Sequence, residues 1–175
     1  MLRRQAASFA RAPPPFHLAV PVHSVPLARA FYGGVLGATE GRRDGNLWQD
    51  YNWAGHQLVC HWAGDKYRAR DYFNPVDKHN VPVPHFGLCL TVPAFKKLAA
   101  RLDAAEKRSV GGRRLFQYVI RPALRFEGQP GAQWTMFLRD PSGNAVECKA
   151  MVTPRNLFAK YDVAKTRTAK AVKKR

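Results

Sequence analysis

The chain has 175 residues, of which 46% are hydrophobic and four are tryptophan. This length fits one domain with a substantial core, and the composition excludes a disordered chain. No apolar run approaches the roughly 18 residues of a transmembrane helix, so no membrane span is predicted. Of the net charge of +17, ten charges lie at the ends: three arginines without an acid in residues 1–13, and eight basic residues against one acid in residues 153–175.

The N-terminal segment, residues 1–13, carries Arg3, Arg4 and Arg11 and several small or hydroxyl residues. No acidic residue occurs before Glu40. This composition is typical of a mitochondrial transit peptide, and a merely basic N-terminal extension is the alternative. The sequence therefore predicts a mitochondrial location, with residues 14–152 forming the folded domain.

The first structural unit begins at His17, which opens the alternating segment HLAVPV. Its apolar residues share one face of a strand, and His17 lies on the other face. A Val-Pro pair then starts a predicted helix over 26–36, with Ser24 as its cap. Three short strands are predicted next, near 38–42, 46–53 and 56–62.

The same pattern returns at His85, 68 residues later. The segment HFGLCLTV repeats the alternation, Thr91 precedes a second Val-Pro pair, and a helix is predicted over 93–105. Strands are predicted near 115–120, 133–139 and 145–151. The chain thus contains βαβββ twice, with module 1 at about 14–63, module 2 at about 84–152, and residues 64–83 as a linker loop.

Two segments of module 2 carry further candidate residues. The loop RFEGQPGAQ supplies Arg125, Glu127 and Gln133, which could orient a substrate, although ordinary loop packing is the alternative for each. The segment EKRSVGGRRLFQYVIR is rich in arginine and, with the C-terminal tail, resembles the electrostatic footprint of a nucleic acid-binding protein. The candidate RNA-binding residues are Lys107, Arg108, Arg113, Arg114, Lys165, Arg167, Lys170, Lys173, Lys174 and Arg175.

The turn DPSGN, residues 140–144, leads into the last strand. Alternation places Glu147 of this strand on the face opposite Val146 and Cys148. His17, His85 and Glu147 therefore all lie on the faces that do not carry the apolar stripes.

Four segments in this order, PFHLAVPV, ARAFYGGVLG, VPVPHFGLCLTV and TMFLRDPSGNAVECKA, resemble the glyoxalase/bleomycin resistance/dioxygenase group, the vicinal oxygen chelate (VOC) superfamily. The resemblance covers roughly residues 14–152. It implies an α+β fold with two βαβββ modules paired in one chain around a curved, barrel-like metal site. It also implies that His17, His85 and Glu147 bind a divalent metal, Fe(II), Mn(II) or Zn(II), and leave coordination positions open for a small-molecule substrate.

The fourth ligand position of the family is occupied here by Val59, which has no donor atom. A glyoxalase I activity is thereby disfavoured, and the two-His, one-carboxylate set is more similar to extradiol dioxygenases or fosfomycin-type transferases. His61, two residues beyond Val59 on the same face, is a candidate catalytic acid or base, with an ordinary structural histidine as the alternative.

Two functions follow from these patterns. The first is a metal-dependent enzyme, of dioxygenase, transferase or lyase type, acting on a small oxygenated substrate. The alternative is a non-catalytic subunit of a mitochondrial ribonucleoprotein such as the mitochondrial ribosome, which would bind RNA through its basic segments. Members of the superfamily often form homodimers, although two modules in one chain could close a site without a second copy.

Overall fold

The computed structural model of the chain describes residues 14–70 and 72–163. The first half forms a four-stranded sheet with the order β1-β4-β3-β2, in which β1 runs parallel to β4. Its strands are β1 (His17–Val22), β2 (Thr39–Asp44), β3 (Trp48–Trp53) and β4 (His56–Trp62).

The second half repeats this sheet with the order β10-β11-β12-β7, in which β12 runs parallel to β7. Its strands are β7 (His85–Cys89), β10 (Gln117–Arg125), β11 (Gln133–Arg139) and β12 (Ala145–Met151). The predicted α+β fold and its βαβββ repeat are confirmed. The two sheets pack on one shared core, and no closed barrel is present among the described strands.

One helical segment follows the first strand of each module. In module 1, α1 (Val25–Ala28) continues into a π-helical segment, Arg29–Val35. In module 2, α2 (Val92–Ala105) is α-helical throughout. The predicted caps are confirmed, since Ser24 Oγ accepts from the Leu27 amide and Thr91 Oγ1 from the Ala94 amide, both at 3.4 Å.

The π-helical segment was not predicted from the sequence. Its wider winding brings the Leu36 amide 2.8 Å from the Phe31 carbonyl, five residues earlier. The helical segments and the apolar faces of both sheets share one core. Phe31, Tyr32, Phe95 and Leu102 are fully buried there, and burial of one such large apolar side chain stabilises a fold by about 1.5–3 kcal/mol.

Three segments differ from the sequence-based expectation. The strand predicted at 115–120 instead runs from Gln117 to Arg125, with two register shifts against β11. The linker is not only a loop, because it contains a hairpin of β5 (Phe73–Val76) and β6 (His79–Pro82). The basic segment forms a second hairpin, β8 (Ser109–Val110) and β9 (Arg113–Arg114). Gly111 and Gly112 make its turn with positive φ angles, which glycine adopts without strain.

The predicted N-terminal extension, residues 1–13, and residues 164–175 of the basic tail lie outside the described residues. The remainder of the tail contains a short 3-10 helix, Pro154–Phe158. In the described part of the chain, no helix has the length and apolar character needed to cross a bilayer. All three cysteines lie in that part as free thiols, with Cys60 and Cys148 buried and Cys89 exposed.

The DPSGN turn connects the two modules. Asp140 is 4% exposed, and its carboxylate accepts hydrogen bonds from the Tyr32 hydroxyl at 2.9 Å and from the amide and side chain of Asn144 at 2.8 Å. Asn144 Nδ2 also donates to the carbonyl of Pro21 on β1, at 2.9 Å. The turn therefore fixes the start of β12 against the first strand and the first helix of the other module.

His23 packs against the same turn and is 4% exposed. The amide of His23 donates to Ser142 Oγ at 3.0 Å, and the same hydroxyl lies 2.9 Å from Nδ1. A serine hydroxyl has one proton and two acceptor lone pairs, so Ser142 can bond the amide and either tautomer of the ring at the same time. Burial lowers the pKa of His23, the charges of Arg68 and Arg113 lower it further, and Asp65 opposes them.

We expect this histidine to make the folded state less stable in mild acid. Below the ordinary pKa of 6.5, the unfolded chain binds a proton that the folded chain excludes. Stability is therefore complete above pH 6.5 and falls as the pH drops toward the lower pKa of the folded state, by at most about 1.4 kcal/mol per pH unit. Urea unfolding between pH 7 and pH 5 measures the slope. His23→Asn, which keeps an acceptor for Ser142, should reduce the slope, and the control His79→Asn should not. An unchanged slope in His23→Asn would contradict this assignment.

Candidate metal centre

The strand register of the second sheet aligns His85, Ala145, Arg139 and Gln117 in one row across four strands. Residues in one row project from the same face of a sheet, so His85 and Arg139 flank the small side chain of Ala145. Glu147 lies on the same face, two residues further along β12 and opposite Gly87. The face away from the main core therefore carries a basic residue, an imidazole and a carboxylate.

His85 and Glu147 are in contact, with Nε2 of the imidazole 3.3 Å from Oε2 of the carboxylate. The other ring nitrogen, Nδ1, lies 2.7 Å from the carbonyl oxygen of Pro82. A carbonyl can only accept, so Nδ1 carries the proton of this hydrogen bond. The hydrogen bond orients the ring and directs Nε2 toward Glu147.

The contact changes the acidity of both groups. The hydrogen bond to Glu147 raises the pKa of His85, against the opposite effect of burial. Burial by itself would raise the pKa of Glu147, but the hydrogen bonds from His85 and Thr135 outweigh it, so this pKa lies below its ordinary value. Both shifts favour an imidazolium–carboxylate pair. A metal ion binding between Nε2 and Oε2 would replace the shared proton.

Two further side chains support the carboxylate. The hydroxyl of Thr135, on β11, donates to Glu147 Oε1 at 2.7 Å in a buried hydrogen bond. Lys149 Nζ lies 3.9 Å from Oε2. Since Thr135 occupies one oxygen, the other remains directed at His85.

His17 lies on the first strand of the other module, where a chain of side-chain hydrogen bonds connects it to Gln57, Asp50 and Arg42. Its Nδ1 lies 2.7 Å from Gln57 Oε1, and Gln57 Nε2 donates to Asp50 Oδ2 at 3.2 Å. Arg42 donates to the same Asp50 oxygen at 2.9 Å and 3.1 Å. Because Asp50 fixes the amide nitrogen of Gln57, the oxygen faces His17, and Nδ1 of His17 is the donor. In neutral His17, Nε2 is then unprotonated and available as a ligand.

The donor chemistry and spacing of the His85–Glu147 pair fit a divalent ion. Two ligand atoms each about 2.1 Å from one ion, at an angle of roughly 90–110°, lie about 3.0–3.4 Å apart, and the observed separation is 3.3 Å. Within residues 14–70 and 72–163, however, no group of three or more His, Cys, Asp or Glu side chains is arranged to hold a metal. The structure thus brings two of the three predicted ligands together, and metal binding by the set of His17, His85 and Glu147 stays a prediction.

A cavity of about 400 Å³ opens beside His85. One wall is β1, from Leu18 to Pro21, and the linker forms the other with Tyr67, Arg70 and Tyr72. Arg139 also lines this cavity. The volume suits a small organic molecule, and His85 of the His85–Glu147 pair lines the cavity.

Comparison with known proteins agrees with this architecture. No family model and no curated protein matches the chain. Among solved structures, a glyoxalase/bleomycin resistance protein/dioxygenase from Alicyclobacillus acidocaldarius is 28% identical, with 82% of this chain and 95% of that chain covered and a TM-score of 0.63. A glyoxalase/dioxygenase from Nostoc punctiforme is 14% identical over 87% of this chain and 100% of that one, with a TM-score of 0.57.

The chain belongs to the vicinal oxygen chelate superfamily. A lactoylglutathione lyase from Agrobacterium tumefaciens has the same fold at 20% identity, covering 83% of this chain and 96% of that chain with a TM-score of 0.50. The two likenesses below 25% identity show the fold alone, the 28% identical structure supports the superfamily, and none of the three specifies the reaction of this VOC protein.

The other predicted site residues of this VOC protein occupy different environments. Arg125 is 3% exposed and donates to the carbonyl of Val76 in the linker hairpin, with Asp77 3.9 Å from its Nε. Its guanidinium therefore holds the linker against the sheet, near Glu147. Glu127 is exposed in the turn after β10, and Gln133 is half-buried at the start of β11. A substrate contact by any of the three stays a prediction.

His61 lies exposed on β4, paired with Trp48 and Pro21. In the described part of the chain its strand partners do not include His85 or Glu147, and its catalytic role also stays a prediction. The RNA-binding candidates Lys107, Arg108, Arg113 and Arg114 are exposed on or next to the β8–β9 hairpin. The remaining RNA-binding candidates, Lys165, Arg167, Lys170, Lys173, Lys174 and Arg175, lie outside the described residues.

Sequence reasoning missed Thr135, Lys149, Gln57 and Arg139. Thr135 lies two residues after Gln133 on one strand, and Lys149 lies two residues after Glu147 on another. The alternation of side chains therefore predicts that each shares a sheet face with that residue. Their contact with Glu147 depends on the register of β11 against β12, which the sequence alone does not specify. Arg139 reaches the row of His85 only through pairing between distant parts of the chain.

Proposed function

We propose that this VOC protein is a divalent-metal-dependent enzyme acting on a small oxygenated substrate. His85 and Glu147 would be the preformed metal ligands, and His17 would complete the set. The observation that carries the proposal is the hydrogen bond from His85 Nδ1 to the Pro82 carbonyl, which aims Nε2 at Glu147 beside a cavity. The hydrogen bond from His17 to Gln57 is a second support, because it leaves Nε2 of His17 available.

A bound Fe(II), Mn(II) or Zn(II) would polarise vicinal oxygens of the substrate as a Lewis acid. The residues of the chain have supporting roles around that ion. Thr135 keeps one carboxylate oxygen of Glu147 occupied, so the other stays directed at the ion. Lys149 offsets negative charge at the same oxygen. Tyr67 and Tyr72 of the linker line the cavity, and their rings would limit the access of water to the reacting group.

Metal content tests this proposal. Protein purified without a metal-affinity tag is offered Fe(II), Mn(II) or Zn(II) under anaerobic conditions, and bound metal is measured by elemental mass spectrometry. We expect about one ion per chain, as a single site of this type requires. Thr135→Val should weaken metal binding about 10- to 100-fold, because it removes the hydrogen bond that orients the Glu147 carboxylate. Glu147→Gln should weaken metal binding more, because it removes a metal ligand itself.

Glu127→Gln is the matched control, since it removes an exposed carboxylate of the same module. It should bind metal like the wild type. If the wild type binds no metal under these conditions, or if Glu147→Gln binds as tightly as Glu127→Gln, the proposal is wrong.

The second candidate is a non-catalytic subunit of a mitochondrial ribonucleoprotein. The observation in its favour is the exposure of Lys107, Arg108, Arg113 and Arg114 around one hairpin. Positive charge of this kind attracts phosphate without sequence specificity. Absence of metal, together with salt-dependent binding of an RNA oligonucleotide that is lost when these four residues are changed to glutamine, would favour this candidate over the enzyme.

A further inference from the structure

A second and larger cavity adjoins the one beside His85. Its volume is about 750 Å³, and Ala69 and Arg139 line both cavities. It lies where the linker, the start of β10 and the DPSGN turn meet, at the end of the His85 row that Arg139 and Gln117 form. The two cavities are therefore immediate neighbours, with Ala69 and Arg139 common to their walls.

Three arginines surround this second cavity: Arg68 from the linker, Arg114 from β9 and Arg139 from the end of β11. Neither Arg68 nor Arg114 forms an ion pair within residues 14–70 and 72–163. The carboxylate in the lining belongs to Asp140, whose oxygens accept hydrogen bonds from Tyr32, Ser142 and Asn144 inside the fold. Because the Asp140 carboxylate is satisfied by these internal donors, it is not available to pair with Arg68 or Arg114.

The remaining wall is aromatic and apolar, with Phe73, Phe116, Tyr118 and Val119. The guanidinium of Arg139 lies 5.7 Å from the centre of the Phe73 ring. Arg139 Nη1 also donates to the carbonyl of Gly143 at 2.7 Å, so its position is set by the turn. Aromatic faces beside arginines suit a ligand with both an apolar body and a negative charge.

The linker side of this cavity is held in place by the backbone. The amide of Ala69 donates to the carbonyl of Ser142 at 2.9 Å. Arg68 precedes this anchor directly, and its Nη1 donates to the Tyr67 carbonyl at 2.6 Å. The arginines on both sides are thus positioned by hydrogen bonds in the absence of a ligand, as an arranged binding site requires.

We infer that the substrate of the proposed enzyme is an organic anion, with its carboxylate or phosphate group bound among Arg68, Arg114 and Arg139. The inference rests on the proposed function for the location of the reacting oxygens at His85 and Glu147. Two strand spacings separate His85 from Arg139, so these oxygens and the anionic group lie about 10 Å apart. The apolar part of the molecule contacts the aromatic wall.

The full chain is titrated with phenyl phosphate, phenylacetate and the neutral analogue 2-phenylethanol, and binding is followed by calorimetry. We expect at least one of the two anions to bind and the neutral analogue to bind at least about tenfold more weakly. The tighter of the two anions identifies the group as phosphate or carboxylate. Arg114→Gln should weaken anion binding about tenfold, which corresponds to the loss of one charge-assisted hydrogen bond.

Arg113→Gln is the matched control. It changes the net charge equally and lies one residue away in the same hairpin, but Arg113 lines a different cavity, beside His23. It should bind the anion within about twofold of the wild type, as expected for screened long-range charge alone. Three results would each overturn the inference. Arg113→Gln could weaken anion binding as much as Arg114→Gln, or 2-phenylethanol could bind as tightly as the anions. The third is that neither anion binds at a concentration of about 10 mM, which is an upper limit for weak fragments.

Mn(II) affinity, measured in parallel, separates this inference from the proposed function. Anion binding without metal binding would support the arginine site and contradict the enzyme. Metal binding without anion binding would support the proposed enzyme and contradict the inference that its substrate is an organic anion.

Discussion

Replacing Asp140 by alanine is expected to lower the free energy of unfolding by about 3–5 kcal/mol, because several buried donors lose their acceptor together. The affected donors are the Tyr32 hydroxyl, the amides of Ser142 and Asn144, and the side-chain amide of Asn144. Burial raises the pKa of Asp140, and these hydrogen bonds act in the opposite direction. The carboxylate is therefore retained inside the fold by the donors that it satisfies.

Urea unfolding followed by tryptophan fluorescence measures this loss. Asp140→Asn should be less damaging than Asp140→Ala, since its remaining oxygen can still accept from the backbone amides of the turn. Asp44→Ala is the control, because Asp44 is exposed at the end of β2, and surface changes of this kind usually alter stability by less than about 0.5 kcal/mol. If Asp140→Ala unfolds at the same urea concentration as Asp44→Ala, the turn does not hold the modules together.

Gly87→Ala is expected to produce the second large effect. A Cβ atom at this position would overlap the carbonyl oxygen of Glu147 on the paired strand. Neither backbone can move without breaking the parallel pairing of β7 and β12, so we expect a loss of about 3 kcal/mol or more. The same displacement separates His85 from Glu147 and should weaken the binding of Mn(II).

Thermal unfolding and Mn(II) titration of the variant test both parts. Gly34→Ala is the matched control, because nothing lies within 4 Å of a Cβ atom built there and the residue is in a helical segment. Alanine at such a position is neutral or stabilises by up to about 1 kcal/mol. A Gly87→Ala protein that is as stable as Gly34→Ala would show that the two strands tolerate separation.

The regular strands were predictable from the sequence, and the irregular elements were not. The ranges 56–62, 133–139 and 145–151 coincide with β4, β11 and β12, because clean alternation ends there at turn residues. β10 escaped prediction beyond residue 120 because Pro122 and two register shifts interrupt the alternation. The π-helical segment contains Gly33 and Gly34, whose missing side chains leave no periodic pattern to read.

The sequence predicted residues of the candidate site only where the internal βαβββ repeat and the alternation of a strand define their positions. His85 and Glu147 were found because each occupies a position defined by the alternation of its own strand. The partners that fix their chemistry come from elsewhere, namely Pro82 from the preceding hairpin and Thr135 from the neighbouring strand. Such contacts depend on register and backbone geometry, and single-strand patterns contain no information about either.

The sheet register has a consequence for how the chain is put together. Every hydrogen-bonded strand pair in the described residues joins strands of one half of the chain, or of one short hairpin, and none joins β1–β4 to β7–β12. The halves are united by the shared core and by a few polar contacts around the DPSGN turn. Strand pairing by itself therefore does not require the two halves to be joined covalently, and the linker, besides its own contacts, keeps them at high local concentration.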